Sequence, residues 1–406
     1  MNLTGASLTV LAITLTSCTS YRNVCGDLRD GLKRCGFAVT QVDCSLLAYS
    51  DIETLIEKLD DQGCDAFATG DDRSVDKRVC TLGHFACPAS PTPDFTPASP
   101  KGPVVFIGGI DDSSVLDWST QIVRLADGSG SHHLSVLPWA TTPERAQDLW
   151  LSLQSLSQHA RLSRVNLVCY AVAGLDCRFL VSDGGLFAGN PNQLTKARAL
   201  ISSITTIATP HRGTRVADAA MAAIREGTAD EVLQALVGSD SAVHIPDDTS
   251  LMRTLDGLTP EALEAFNARV VDAPAVFYQS YAGVSAVSGK SSASTERAIR
   301  EHCAAPDTTF LFQRHPSTTD AMNPALWATA PFSTLTRGED GQSVSSPSDG
   351  MISVASAKWG VFRGCLPADH YDVIGQIGHV TRDPATGFDA PRFYQVLVSE
   401  LAARGL

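Results

Sequence analysis

The sequence predicts an α/β fold on a mostly parallel sheet, and three observations support it. Residues 104–107, 165–168 and 204–207 form short runs of apolar and β-branched side chains, the composition of strands buried on both faces. Each run is followed by helical or loop sequence rather than by a hairpin turn, as crossover connections require. The chain has 406 residues, 44% of them hydrophobic, which is enough for one large domain and a smaller module.

In chain order, residues 3–15 come first. They are apolar, rich in threonine and too short to span a bilayer, and they suit the hydrophobic part of an export signal. The run ends in Leu15-Thr16-Ser17-Cys18, which resembles the site at which bacterial lipoproteins are cleaved and acylated on cysteine, although no Lys or Arg precedes it. Export follows as an expectation, either as a bacterial envelope lipoprotein anchored to the membrane through Cys18 or as a secreted protein. Eleven cysteines fit an oxidising compartment. Six of them, Cys25, Cys35, Cys44, Cys64, Cys80 and Cys87, precede the strands above and predict a small cysteine-rich N-terminal module. Within it, the helical spacing of Leu28, Leu32 and Cys35 and the alternation over 36–43 read as a small β/α unit. The Pro, Ser and Thr content of 88–102 predicts an extended linker. The expected boundaries are 1–18 for the signal segment, 19–87 for the module, 88–102 for the linker and 103–406 for the main domain.

Within the main domain, residues 165–180 read as a strand, a sharp turn and a helix, with Cys169-Tyr170-Ala171-Val172-Ala173 at the turn. Four blocks follow: Thr209-Pro210-His211-Arg212-Gly213-Thr214 after a strand; Phe277-Tyr278-Gln279-Ser280-Tyr281; Ser348-Asp349-Gly350-Met351-Ile352; and Pro367-Ala368-Asp369-His370-Tyr371-Asp372. In this order they resemble bacterial triacylglycerol lipases, over the stretch from about Lys101 to the C-terminus. The resemblance implies an α/β-hydrolase fold in which Asp349 is the orienting acid and His370 the general base. The nucleophile elbow of such enzymes reads G-x-S-x-G, with the serine on a strained turn. Here Ala171 stands in the serine's place, Cys169 and Ala173 replace the glycines, and a one-residue slip of register brings up only Val172. A methyl group has no lone pair, so Ala171 cannot form an acyl-enzyme.

The loop after the first strand, Gly108-Gly109-Ile110, has glycine where the family shows histidine. An oxyanion hole is made of backbone N–H groups, so Ile110 and Val172 remain the expected donors. With the elbow and this loop both altered, Ala171→Ser alone is not expected to restore normal activity. The resemblance also implies a structural calcium ion on the histidine loop, held by Asp372, Gln376, the carbonyl of Val380 and Asp320, since hard oxygen donors suit that ion. The alternative is an Asp372 that only hydrogen-bonds its own loop. Cys303 and Cys365 are implied as a bridge steadying the His370 loop, whereas Cys169 and Cys177 either pair or stay as buried thiols. Residues 216–263 occupy the place of a lid. His132 and His133 are expected in an exposed loop, and His211 is expected to be structural.

A net charge of −13 with no basic cluster argues against a nucleic-acid partner. Three functions stay open. The first is a lipase homologue without ordinary serine hydrolysis that keeps a pocket for a lipid or ester, or offers the old site to a protein partner. The second is an active esterase using Cys169, Tyr170, Cys177 or a water activated by His370 and Asp349. The third is a structural or regulatory envelope protein whose N-terminal module does the binding.

Overall fold

In the computed structural model, the described residues are 99–110, 131–226, 248–290, 292–305, 319–337, 343–376 and 386–406, with Ile56, Trp118, Ile122 and Asp383 singly. The expected signal segment, nearly all of the cysteine-rich module and Val380 lie outside them. Contacts between α-carbons divide the chain into one unit of 1–90 with 382–387 and another of 91–381 with 388–406. The architecture below belongs to the second unit.

Its centre is a six-stranded sheet formed by β1 (Val104–Ile107), β2 (His132–Leu134), β3 (Val165–Tyr170), β4 (Ile201–Ile207), β5 (Phe277–Gly283) and, near the C-terminus, β10 (Val361–Leu366), with two small pairs between β5 and β10 in the chain, β6 (Ser285–Ala286) with β7 (Asp320–Ala321) and β8 (Leu335–Arg337) with β9 (Ser343–Ser345). From one edge of the six-stranded sheet the order is β10, β5, β4, β3, β1, β2, and every pairing within it is parallel. Parallel neighbours need crossovers, and helices supply them: α1 (Thr142–Ala160) leads into β3, and α2 (Ala173–Val181) and α3 (Pro191–Leu200) join β3 to β4. Helix α1 starts where Thr141 and Glu144 form a reciprocal cap with Pro143 in the first turn, and it stops at Arg161 in the left-handed conformation. Then come α4 (Arg215–Arg225), α5 (Asp248–Asp256) and α6 (Pro260–Arg269) before β5.

Side chains alternate across the central strands with a period of two. Phe106, Val168 and Tyr170 pack on one face with Phe393, Tyr394 and Leu397 of the C-terminal helix Ala390–Ala403. Val105, Leu167 and Ile204 pack on the other with Leu149 of α1, Leu180 of α2 and Ala197 of α3. All residues of β1, β3 and β4 are buried, as their apolar runs predict. The order and direction of the strands, with helices on both faces, make this an α/β-hydrolase fold.

Two expectations change. His132 and His133 are not in an exposed loop; they are half-buried on the short edge strand β2, opposite Val105 and Phe106. Three residues at a sheet edge carry too little pattern to stand out in a sequence. The elbow also forms without its two glycines. The close pass of helix and strand falls one residue later, at Gly174, where an added Cβ would run into Thr209 Oγ1. Cys169 of β3 is bridged to Cys177 of α2, and Cys303, ending α7 (Ala293–Cys303), is bridged to Cys365.

Candidate active site

Between β3 and α2 the chain reverses at Ala171, with φ of 49°, a left-handed conformation that costs a non-glycine residue free energy. Its neighbours hold it there. The Ala171 N–H donates to the carbonyl of Ile207, and its carbonyl accepts from the N–H of Gly174. In a trans peptide the carbonyl and the next N–H point in opposite directions, so the bond to Gly174 turns the Val172 N–H away from that helix turn.

The same logic fixes Ile110. Arg145, on α1 and almost fully buried, donates from Nη2 to the Gly109 carbonyl at 2.6 Å and from Nη1 to the Leu137 carbonyl at 3.0 Å. Its Nε donates to Asp176 of α2 at 2.8 Å. With the Gly109 carbonyl held by Arg145, the N–H of Ile110 faces the opposite way. Neither Ile110 nor Val172 donates in a turn or cap hydrogen bond among the described residues. Both line a cavity of about 60 Å³ together with Trp139, Ala171, Leu255, Leu258, Met351 and His370. Neither Arg145 nor Asp176 was singled out from the sequence; a charged pair on two separate helices leaves no local pattern.

Asp349 follows a short bridge after β9 (Ser343–Ser345), and its Oδ1 accepts from the N–H groups of Met351 and Ile352 at 2.9 and 2.7 Å. Its Oδ2 is 2.8 Å from His370 Nδ1. Both oxygens are thus satisfied as acceptors, and a neutral His370 that donates to Oδ2 carries its proton on Nδ1. The lone pair of His370 then sits on Nε2. Tyr170, next to the turn, donates its hydroxyl to the His370 carbonyl at 2.7 Å, with the two rings 5.0 Å apart.

The residues proposed from sequence as displaced nucleophiles fare differently. Cys169 and Cys177 share a disulfide, so neither offers a thiolate. The Tyr170 hydroxyl is buried and committed to a carbonyl, and burial pushes it well above the usual phenol range. His211 is placed among structural partners, between Thr206 and Arg178 and stacked on Trp359, and burial holds it well below the ordinary imidazole range.

Asp320, on the short strand β7 (Asp320–Ala321), and Asp372 are brought together with Asp369, which the sequence reading did not include. One oxygen from each carboxylate lies within 4.8 Å of the others, and all three residues are buried. Asp369 also accepts from the N–H groups of Tyr371, Asp372 and Asn323, and burial, partly offset by these bonds, raises its carboxyl above the usual range. Three converging buried carboxylates suit a hard divalent cation. Gln376 ends the same loop, its N–H bonded to the Tyr371 carbonyl.

No family model matches the chain. It is 26% identical over 276 residues to a Saccharomyces cerevisiae protein described as triacylglycerol lipase 2, an alignment covering 64% of this chain and 65% of that protein. The chain therefore spans just under two thirds of that relative's length. Among solved structures, lipase 1 of Pelosinus fermentans matches with a TM-score of 0.48 and 15% identity, covering 75% of this chain and 99% of that one. The mature Bacillus licheniformis lipase matches at 0.46 and 15%, covering 76% and 96%. Staphylococcus hyicus lipase matches at 0.43 and 17%, covering 78% and 98%. The chain has a lipase-like α/β-hydrolase fold and a yeast triacylglycerol lipase as a homologue.

Proposed function

We propose that this protein binds a lipid or ester in the cavity beside Ala171 and does not perform ordinary serine hydrolysis. The observation carrying the proposal is the methyl side chain on the strained turn, set among N–H groups and a His–Asp pair that in a lipase would serve a serine. The cavity wall supports it, because Trp139, Val172, Val216, Leu255, Leu258 and Met351 are apolar. At about 60 Å³ the cavity is smaller than the dry cavity of roughly 150 Å³ that takes up benzene. An acyl chain would need α4 and α5, which supply Val216, Ala217 and Leu255, and the turn after α5 that supplies Leu258, to move aside. The disulfide engagement of Cys169 and Cys177 and the hydrogen bond of Tyr170 weigh against a displaced nucleophile.

Export and calcium belong to the same proposal. The two disulfides fit an oxidising compartment, reached by secretion or by anchoring through Cys18. Asp320, Asp369 and Asp372, joined by Gln376 and the Val380 carbonyl, would hold a calcium ion that ties the His370 loop to β7. The expected result is a calcium-dependent rise in Tm. At a hundredfold excess over Kd, binding to the folded state alone adds about 2.7 kcal/mol, or roughly 4 °C in a domain of about 300 residues. Asp372→Ala should lose the response in differential scanning calorimetry; a shift unchanged by that substitution would place calcium elsewhere.

The hydrolytic side is tested with short- and long-chain p-nitrophenyl esters, the disulfide-intact protein and its His370→Ala variant side by side. Equal background in both is expected. Turnover that disappears with His370→Ala would mean water activated by the His–Asp pair, and the binding-only reading would be wrong.

A further inference from the structure

We infer that the preferred ligand of this cavity is a free long-chain carboxylic acid rather than an ester, an inference that rests on the binding function proposed above. In a serine hydrolase the acyl carbon is flanked by two oxygens, the carbonyl oxygen in the oxyanion hole and the serine Oγ. Ala171 keeps the first and removes the second, leaving room for one extra oxygen beside His370. A carboxyl group brings that oxygen with it.

The polar groups around the cavity match a carboxyl at both ends. On one side, the N–H groups of Ile110 and Val172 are donors held outward by Arg145 and by the Ala171–Gly174 bond. On the other, His370 is fixed through Nδ1 by Asp349, so Nε2 can share the single proton of a carboxyl group. One carboxyl oxygen accepts from the N–H pair while the other shares its proton with Nε2. No covalent bond forms or breaks. An ester has no proton to share and puts an alkoxy carbon where the second oxygen should go; an alcohol lacks the oxygen for the N–H pair.

A separate observation agrees. Trp139 lines the cavity, is buried, and its Nε1–H has no acceptor among the described residues. Buried donors in native proteins are nearly always satisfied, and an orphan one in a cavity wall calls for an oxygen-bearing ligand. Its backbone is also held in the left-handed region at φ of 49°, by a bond from its N–H to the Ile110 carbonyl and by Thr254 Oγ1 donating to its own carbonyl. Strain of that kind in a bulky aromatic residue is kept where the surroundings over-determine it, which is typical of ligand sites.

The test is isothermal titration of the full, disulfide-intact protein with dodecanoic acid, methyl dodecanoate and dodecan-1-ol, each below its aggregation threshold. Dodecanoic acid is expected to bind at least tenfold more tightly than either of the others. In Ala171→Ser/His370→Ala, which puts a hydroxyl in the place of the second oxygen without a base to drive turnover, and in His370→Leu, the preference should fall to about one while methyl dodecanoate binding persists. Equal affinity for all three in the wild type would overturn the carboxyl inference and leave lipid binding standing. An acid preference unchanged in both variants would also overturn it, placing the carboxyl elsewhere. No binding of any of the three would overturn the proposed function together with this inference.

Discussion

Replacing Ala171 with serine is expected to produce an esterase with partial activity. The triad serine of a hydrolase is worth about 10⁶ in kcat, while the oxyanion donors and binding alone still give on the order of 10³–10⁴ over water. The elbow conformation is held by backbone bonds to Ile207 and Gly174, which a serine side chain does not disturb. His370 is already oriented by Asp349. We expect Ala171→Ser to raise p-nitrophenyl acetate turnover by on the order of 10²–10³, short of the serine's full worth. The shortfall follows from the closed cavity and from glycine at 108, where the resemblance implies histidine. The gain should vanish in Ala171→Ser/His370→Ala. A single variant no faster than wild type would mean that His370 Nε2 is out of reach of the turn. Lipase-level turnover on long chains would mean that the cavity opens more readily than its wall of α4 and α5 indicates. The sequence alone pointed to hindrance from Cys169 and Ala173; the structure accommodates both, because the close pass falls at Gly174.

Arg145→Met is expected to be the most destabilising single change near the site. Arg145 and Asp176 are buried and bonded at 2.8 Å, and the guanidinium also holds the loop at Gly109. Breaking one side of such a pair leaves a buried charge uncompensated and costs about 3–5 kcal/mol, or roughly 5–8 °C in Tm for a domain of about 300 residues. The loss should depend on pH. Burial pushes Asp176 up to about 6 even against the attraction of Arg145. A carboxyl raised on folding contributes stability that is fully present below its unfolded pKa of about 3.8 and lost as pH rises through its folded value. Without Arg145 the folded value climbs further, so the variant goes on losing stability where the wild type has levelled off. The gap in Tm between the two proteins should therefore be small at pH 5 and wide at pH 8. A gap independent of pH would mean that Arg145 acts through its packing and carbonyl contacts instead. Arg145→Met/Asp176→Leu should recover most of the stability while leaving the loop at Gly109 unheld.

Much of the fold was legible because its signals are local. The short, β-branched apolar runs at β1, β3 and β4 read as strands buried on both faces, and the turn at Ala171 sits between one such run and a helix. Asp349 and His370 lie in short sequence blocks that carry their own turn chemistry, and their juxtaposition at 2.8 Å follows from two loops at the same end of the sheet. The pairing of Cys303 with Cys365 was expected as a bridge steadying the His370 loop, and that of Cys169 with Cys177 stayed open until the strand and helix were placed. The parts that stayed hidden depend on distance in space. Asp369 reads as an ordinary turn aspartate, and only the arrival of β7 reveals that it faces Asp320. Arg145 resembles any other arginine on an amphipathic helix until Asp176 and the Gly109 carbonyl close around it.

The crosslink behind the turn also bears on how the chain finds its fold. Cys169 and Cys177 are 8 residues apart, whereas Cys303 and Cys365 are 62 apart. Loops of about ten residues close in roughly 10–100 ns, while parallel sheets assemble from distant segments and are slow. In the oxidised chain the first bridge keeps β3 and α2 bent toward one another before any neighbouring strand has arrived. A reduced chain must instead make that corner against the left-handed strain at Ala171, held by its bonds to Gly174 and to Ile207 of β4 once the flanking strands β1 and β4 have docked. Oxidation state thus sets whether the corner is a starting point of assembly or one of its products.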